Sequence, residues 1–104
     1  MSYDISAIYK IENLINGKIY IGSASFLYSR WGRHRKRLRE GKHYNAHLQA
    51  AWNKYGEDQF QFSIVERVES KKHLIEREQY WLDRTQCYNR VVGYNIAKSA
   101  GSTL

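Results

Sequence analysis

A chain of 104 residues has the length for one modest core, and its single cysteine, Cys87, excludes an internal disulfide and a thiolate zinc cluster. Hydrophobic residues make up 42% and charged residues 26%, with no apolar run of membrane-spanning length. A single soluble globular domain is therefore expected, and a disordered tract or a membrane protein is not. Seventeen Lys plus Arg against ten Asp plus Glu leave a net charge of +7, which favours a polyanionic partner such as nucleic acid.

The first residues, Met1-Ser2-Tyr3-Asp4-Ile5, carry no basic stretch followed by an apolar one, so a cytoplasmic location is expected. Residues 7–12 and 18–23 are rich in Ile and Tyr and flank a segment ending in Asn16-Gly17, the pattern of a β-hairpin. From Phe26 to about Glu40 helix-forming Arg, Lys and Leu predominate. Leu27, Trp31 and Leu38 share one side of that helix, and Gly41 stops it. Asn45 suits the cap of a second helix with Leu48, Ala51, Trp52 and Tyr55 on one face and Gly56 as its end.

Residues 60–68 alternate, with Phe60, Phe62, Ile64 and Glu66 on one side and Gln61, Ser63 and Val65 on the other. This predicts a strand that extends the hairpin into a small sheet. Ser70 is the expected cap of a third helix reaching about Arg84, followed by a loop from Thr85 that contains Gly93-Tyr94-Asn95-Ile96. The order β-β-α-α-β-α predicts an α+β domain whose three-stranded, mainly antiparallel sheet is flanked by helices.

Two features point toward chemistry. At about 100° per residue, Glu78 falls in the middle of the stripe formed by Leu74, Ile75, Trp81 and Leu82. A buried carboxylate needs a cation, a metal or a hydrogen-bond network, and an ion pair with an arginine is the structural alternative to a metal. Arg30 and His34, four residues apart, share a helical face beside the apolar stripe. A guanidinium that forks onto phosphate oxygens and an imidazole that titrates near neutrality suit phosphate chemistry, while simple packing is the bland alternative. Within residues 30–42, Arg33, Arg35, Lys36, Arg37, Arg39 and Lys42 join Arg30 against Glu40 alone, a net +6 that leaves +1 for the rest of the chain. Such a face attracts phosphate backbone without reading sequence.

Ala7-Ile8-Tyr9, ten further residues and then Tyr20-Ile21-Gly22 resemble the paired signature of the GIY-YIG nuclease family, with alanine in place of the first glycine. The resemblance continues in order through Arg30-Trp31, His34, Gly41-Lys42-His43, residues 74–78 and residues 93–96. It spans Ala7 to Ala97 and is nearest to the catalytic domain of phage- and intron-encoded homing endonucleases.

The resemblance implies a metal-dependent DNA endonuclease with loose sequence preference, in which Glu78 holds one divalent ion, Mg²⁺ or Mn²⁺. It also implies that Tyr9 activates the attacking water with Tyr20 beside it, that Arg30 holds the scissile phosphate, that His34 and His43 assist, and that Asn95 orders the site from the tail. Family members that find rare sites usually carry a separate DNA-binding region, and none is recognised in this sequence. Action as a monomer or as a transient dimer on DNA is therefore expected. The alternative reading is a basic nucleic-acid-binding module or subunit of the same fold that needs a partner for cleavage.

Overall fold

The structure, a computed structural model, describes residues 4–101. Strands β1 (Ala7–Asn13) and β2 (Ile19–Ala24) form the antiparallel hairpin, and β3 (Phe60–Arg67) adds to the other side of β1, giving the sheet order β2-β1-β3. Helix α1 spans Leu27–Glu40, α2 Ala46–Tyr55 and α3 Leu74–Thr85, so the order and the α+β class follow the sequence pattern.

Local chemistry sets most of these boundaries. Gly41 ends α1 at φ 72°, the left-handed conformation that glycine adopts without steric cost, and its N–H turns back to the Leu38 carbonyl. The Asn45 side chain accepts the N–H groups of His47 and Leu48 and starts α2 as its sequence predicts. The first turn of α1 is capped from a distance, because the Asp4 carboxylate accepts the backbone N–H groups of Tyr28 and Ser29. The expected cap at Ser70 does not form. A 3₁₀ turn, Lys71–His73, comes first, with the His73 N–H bonded to the Ser70 carbonyl, and α3 begins only at Leu74.

The sheet separates two cores. Tyr9, Ile11, Tyr20 and Ala24 meet Leu27 and Leu38 of α1 and Leu48 and Trp52 of α2. Ile8 and Ile21, pointing the other way, meet Leu74 and Leu82 of α3. The simple alternation read for residues 60–68 fails at a bulge. Ile8 opposes Glu66 while Tyr9 opposes Ile64, leaving Val65 as an extra residue. Val65 packs in the α3 core as the alternation has it, but the bulge turns Glu66 away from the Phe60 side to the α3 side, where it accepts from Arg77 and Trp81, and Ile64 is 39% exposed. The tail after α3 closes the outer edge of β2: the Ile19 N–H donates to the Val92 carbonyl, and the Tyr94 N–H donates to that of Ile19.

Candidate active site

Tyr9 and Tyr20 sit on adjacent strands with ring centroids 6.4 Å apart, both facing α1. Gly22 lies directly opposite Tyr9 and leaves room for its ring. The Tyr9 hydroxyl is 2.6 Å from His34 Nε2, and His34 Nδ1 is 2.7 Å from His43 Nε2, the two imidazoles being stacked. At the far end the Asn45 backbone N–H donates to His43 Nδ1.

That last bond fixes the direction of the whole chain. A backbone N–H can only donate, so His43 carries its proton on Nε2 and gives it to His34 Nδ1, and His34 in turn directs its Nε2 proton at the Tyr9 oxygen. Both histidines are neutral. Burial, with His43 and the charges of Arg30 and Arg33 adding to it, holds His34 down at about 3. Burial together with Arg37 holds His43 at about 4. Burial likewise pushes the Tyr9 hydroxyl well above the ordinary tyrosine range, and Tyr44 adds to the rise while the Arg30 charge and hydrogen bond oppose it. Tyr20 is raised in the same way, by burial first and then by its tyrosine neighbours.

Glu78 lies on the other face of the sheet, on α3, and is 6% exposed. Its partner is the Ser23 hydroxyl, which donates to Oε1. Among the described residues it forms no ion pair with an arginine. Arg30 instead donates from Nη1 to the Ser23 carbonyl at 3.2 Å. Ser23, near the end of β2, thus joins the guanidinium to the carboxylate around the edge of the sheet. Burial raises the Glu78 pKa; the Ser23 hydroxyl, the Gly101 backbone N–H and the Arg30 charge oppose the rise without cancelling it. A carboxylate held this way, by hydrogen-bond donors and, among the described residues, no cation in contact, is suited to a metal ion.

The donor set limits which cation. Among the described residues no group of three His, Cys, Asp or Glu side chains could hold a metal ion. One carboxylate fits a hard divalent ion that keeps most of its waters and takes phosphate oxygens, and does not fit a zinc centre.

Asn95 does not face these groups. Its side chain donates to the Ile21 carbonyl and accepts the Ile21 N–H, clamping the tail to β2, while the Cys87 thiol donates to the same amide oxygen. Of the cationic residues, Arg33, Lys36, Arg37 and Lys42 are exposed. Arg35 lies over the Phe62 ring at 4.2 Å, and Arg39 makes a two-point pair with Glu57. Two residues of the site escaped the sequence reading. Ser23 lies in an unremarkable Gly-Ser-Ala run, and Tyr44, whose hydroxyl is 2.5 Å from that of Tyr20, shows only as a neighbour of His43.

A family model described as the GIY-YIG catalytic domain matches residues 5–94. Intron-associated endonuclease 1 of Enterobacteria phage T4 is 43% identical over 93 residues, covering 88% of this chain and 37% of the relative. The probable intron-encoded endonuclease 1 of Neurospora crassa is 36% identical over 107 residues, covering 97% of this chain and 33% of the relative. The chain thus spans about a third of the length of these curated relatives. Among solved structures, a mutant of the catalytic domain of intron endonuclease I-TevI superimposes with a TM-score of 0.79 and 39% identity over 92% of this chain and 97% of that one. A second structure of the catalytic domain of homing endonuclease I-TevI gives 0.77 and 41% over 88% and 98%.

Proposed function

The chain belongs to the GIY-YIG family of catalytic domains, and from that premise we propose that it hydrolyses phosphodiester bonds of DNA as the catalytic part of a homing-type endonuclease in the cytoplasm. The observation that carries this reading is the linkage of Arg30 to Glu78 through Ser23, beside the Tyr9 hydroxyl at the end of the histidine chain. Phosphodiester hydrolysis needs positive charge on the pentavalent phosphorus and a base for the attacking water.

Glu78 would hold one divalent ion, magnesium or manganese, which when bound supplies Lewis-acid charge to the phosphate oxygens and lowers the pKa of coordinated water. Arg30 leaves the Ser23 carbonyl to fork onto the scissile phosphate, and that exchange opens the otherwise buried Tyr9 hydroxyl to the attacking water. Tyr9 would take the water's proton as general base in its phenolate form, its own hydroxyl proton having first left to solvent, a loss that burial opposes and the Arg30 charge favours. His34 favours the phenolate by donating its Nε2 proton to the Tyr9 oxygen, and His43 supports it by donating in turn to His34 Nδ1. Because both histidines already hold their protons on the donating side, they act as donors and do not carry a proton away from Tyr9.

Exposed Arg33, Lys36, Arg37 and Lys42 supply salt-dependent grip on the backbone, so this domain alone has loose sequence preference. A DNA-binding region or partner outside the chain would provide tighter selection.

The test is cleavage of supercoiled plasmid at low salt with magnesium, manganese or chelator, and with Glu78→Gln beside the unmutated protein. Metal-dependent nicking that disappears in the variant, with its DNA binding and melting temperature kept, is the expected result. Cleavage by Glu78→Gln at the unmutated rate refutes the metal-ligand role. Binding without cleavage by the unmutated chain favours the partner-dependent binding module.

A further inference from the structure

Tyr44 follows His43 in the loop between α1 and α2 and is 51% exposed, yet it is held at both ends. Its hydroxyl lies 2.5 Å from that of Tyr20, which is 4% exposed. Its ring stacks on His43 with centroids 4.5 Å apart and an interplanar angle of 24°, and it lies 6.4 Å from the His34 ring. One face of the ring is thus covered by the histidine stack, and half of the residue's surface remains open to solvent.

An exposed tyrosine ordinarily swings between rotamers, and ordering it on binding costs free energy. Here the protein's own contacts already order it, so the open face is a preorganised flat surface beside the Tyr20 hydroxyl and the histidine chain that ends at Tyr9. Lys42, exposed and two residues earlier, places positive charge on the same loop. Every nucleobase has a π-face, and stacking on an aromatic side chain is a sequence-tolerant way to seat one.

We infer that the open face of Tyr44 is a base-stacking subsite, which takes a nucleobase flanking the scissile phosphate and so aligns the strand over Tyr9 and Arg30. The inference rests on the nuclease reading above. Tyr44 is here a substrate-positioning residue, with no proton to move.

The experiment uses a duplex oligonucleotide whose cleavage position has been mapped with the unmutated protein, together with Tyr44→Leu and Tyr44→Phe. Loss of the ring in Tyr44→Leu should raise KM about tenfold and leave kcat within about threefold, because stacking contributes to ground state and transition state alike. Tyr44→Phe keeps the ring and should stay within about threefold of the unmutated KM.

An abasic site placed at the flanking position should weaken the unmutated protein to the level of Tyr44→Leu and leave Tyr44→Leu itself unchanged. That non-additivity is something a purely structural role would not produce. Equal loss in Tyr44→Phe and Tyr44→Leu, or equal sensitivity of all three proteins to the abasic site, overturns the subsite. Cleavage by Tyr44→Leu with unmutated KM overturns it as well. An unmutated protein that neither binds nor cuts DNA refutes the nuclease reading itself, which distinguishes the two failures. Melting curves of both variants establish that they are folded.

Discussion

Tyr9 and Gly22 are cross-strand partners, and the Tyr9 ring occupies the place where a side chain on Gly22 would be: a Cβ there would lie 2.5 Å from both Cζ and the hydroxyl oxygen of Tyr9. The glycine is required because the ring of Tyr9 covers it.

Gly22→Ala should therefore displace the Tyr9 hydroxyl from His34 and cost about 1–3 kcal/mol of stability, as overpacking does in other cores. Thermal unfolding and plasmid nicking check both effects. An alanine variant with unmutated stability and rate would show that the strand pair yields easily.

Arg30 is half-buried, and its polar contacts are with the Ser23 carbonyl and the Tyr9 hydroxyl, so its main engagement is with the site and not with the apolar cores. Arg30→Ala should lower the cleavage rate about 10²–10³-fold, as loss of a charged transition-state donor does elsewhere, and move the melting temperature by a few degrees at most. Arg30→Lys should recover only part of the rate, since an ammonium lacks the planar fork. A large fall in melting temperature with a normal rate would make Arg30 a packing residue.

The two histidines set an acid limit on stability. In the folded chain they titrate at about 3 and about 4, whereas an unfolded imidazole titrates near about 6.5. As pH falls from about 6.5 toward 4, the unfolded chain binds protons that the folded chain refuses, so stability declines across that window and is unaffected by these groups above it. Glu78, whose pKa is raised, works in the opposite sense, because its folded form holds a proton longer than its unfolded form. Melting curves from pH 7 to 4.5 should fall more steeply for the unmutated protein than for His34→Gln/His43→Gln. Parallel slopes would contradict the buried neutral pair.

Asn95→Ala leaves the Ile21 N–H and carbonyl without their clamp and removes the acceptor of the Cys87 thiol. Stability should drop by about 2–4 kcal/mol, the scale of two buried backbone groups deprived of partners. Cleavage lost at 37 °C should return on cooling, which a substrate-touching residue would not allow. Rate loss at every temperature with an unchanged melting point would instead put Asn95 at the substrate.

What the sequence disclosed and what it concealed divide along the range of the interaction. Gly41 and Asn45 act on their own helix ends, and Glu78 betrays itself by helical periodicity, so each could be read from neighbours within a turn. The bulge at Val65 is a register property shared by two strands, Tyr9 meeting Ile64 and Ile8 meeting Glu66 far along the chain, and nothing within residues 60–68 encodes it. The Asp4 cap on α1 works across 24 residues, and Ser70, the better local candidate for a cap on α3, goes unused. The site was legible where the chemistry demanded rare residue types. Ser23 and Tyr44 were hidden because serine on a strand and tyrosine in a loop are ordinary until the fold sets them beside Glu78 and Tyr20.

The contacts of Asp4 and Gly101 make the described chain a loop with two clasps, each fastened to a working part. One end grips the first turn of α1 at Tyr28 and Ser29, immediately before Arg30, and the other reaches the carboxylate of Glu78. Loosening either end should therefore be felt at Arg30 and Glu78 as well as at Ile5 and Ala100, which pack against the two cores. Limited proteolysis followed by melting curves and a nicking assay would expose that sensitivity: a clipped protein whose cutting falls by more than its modest loss of stability accounts for.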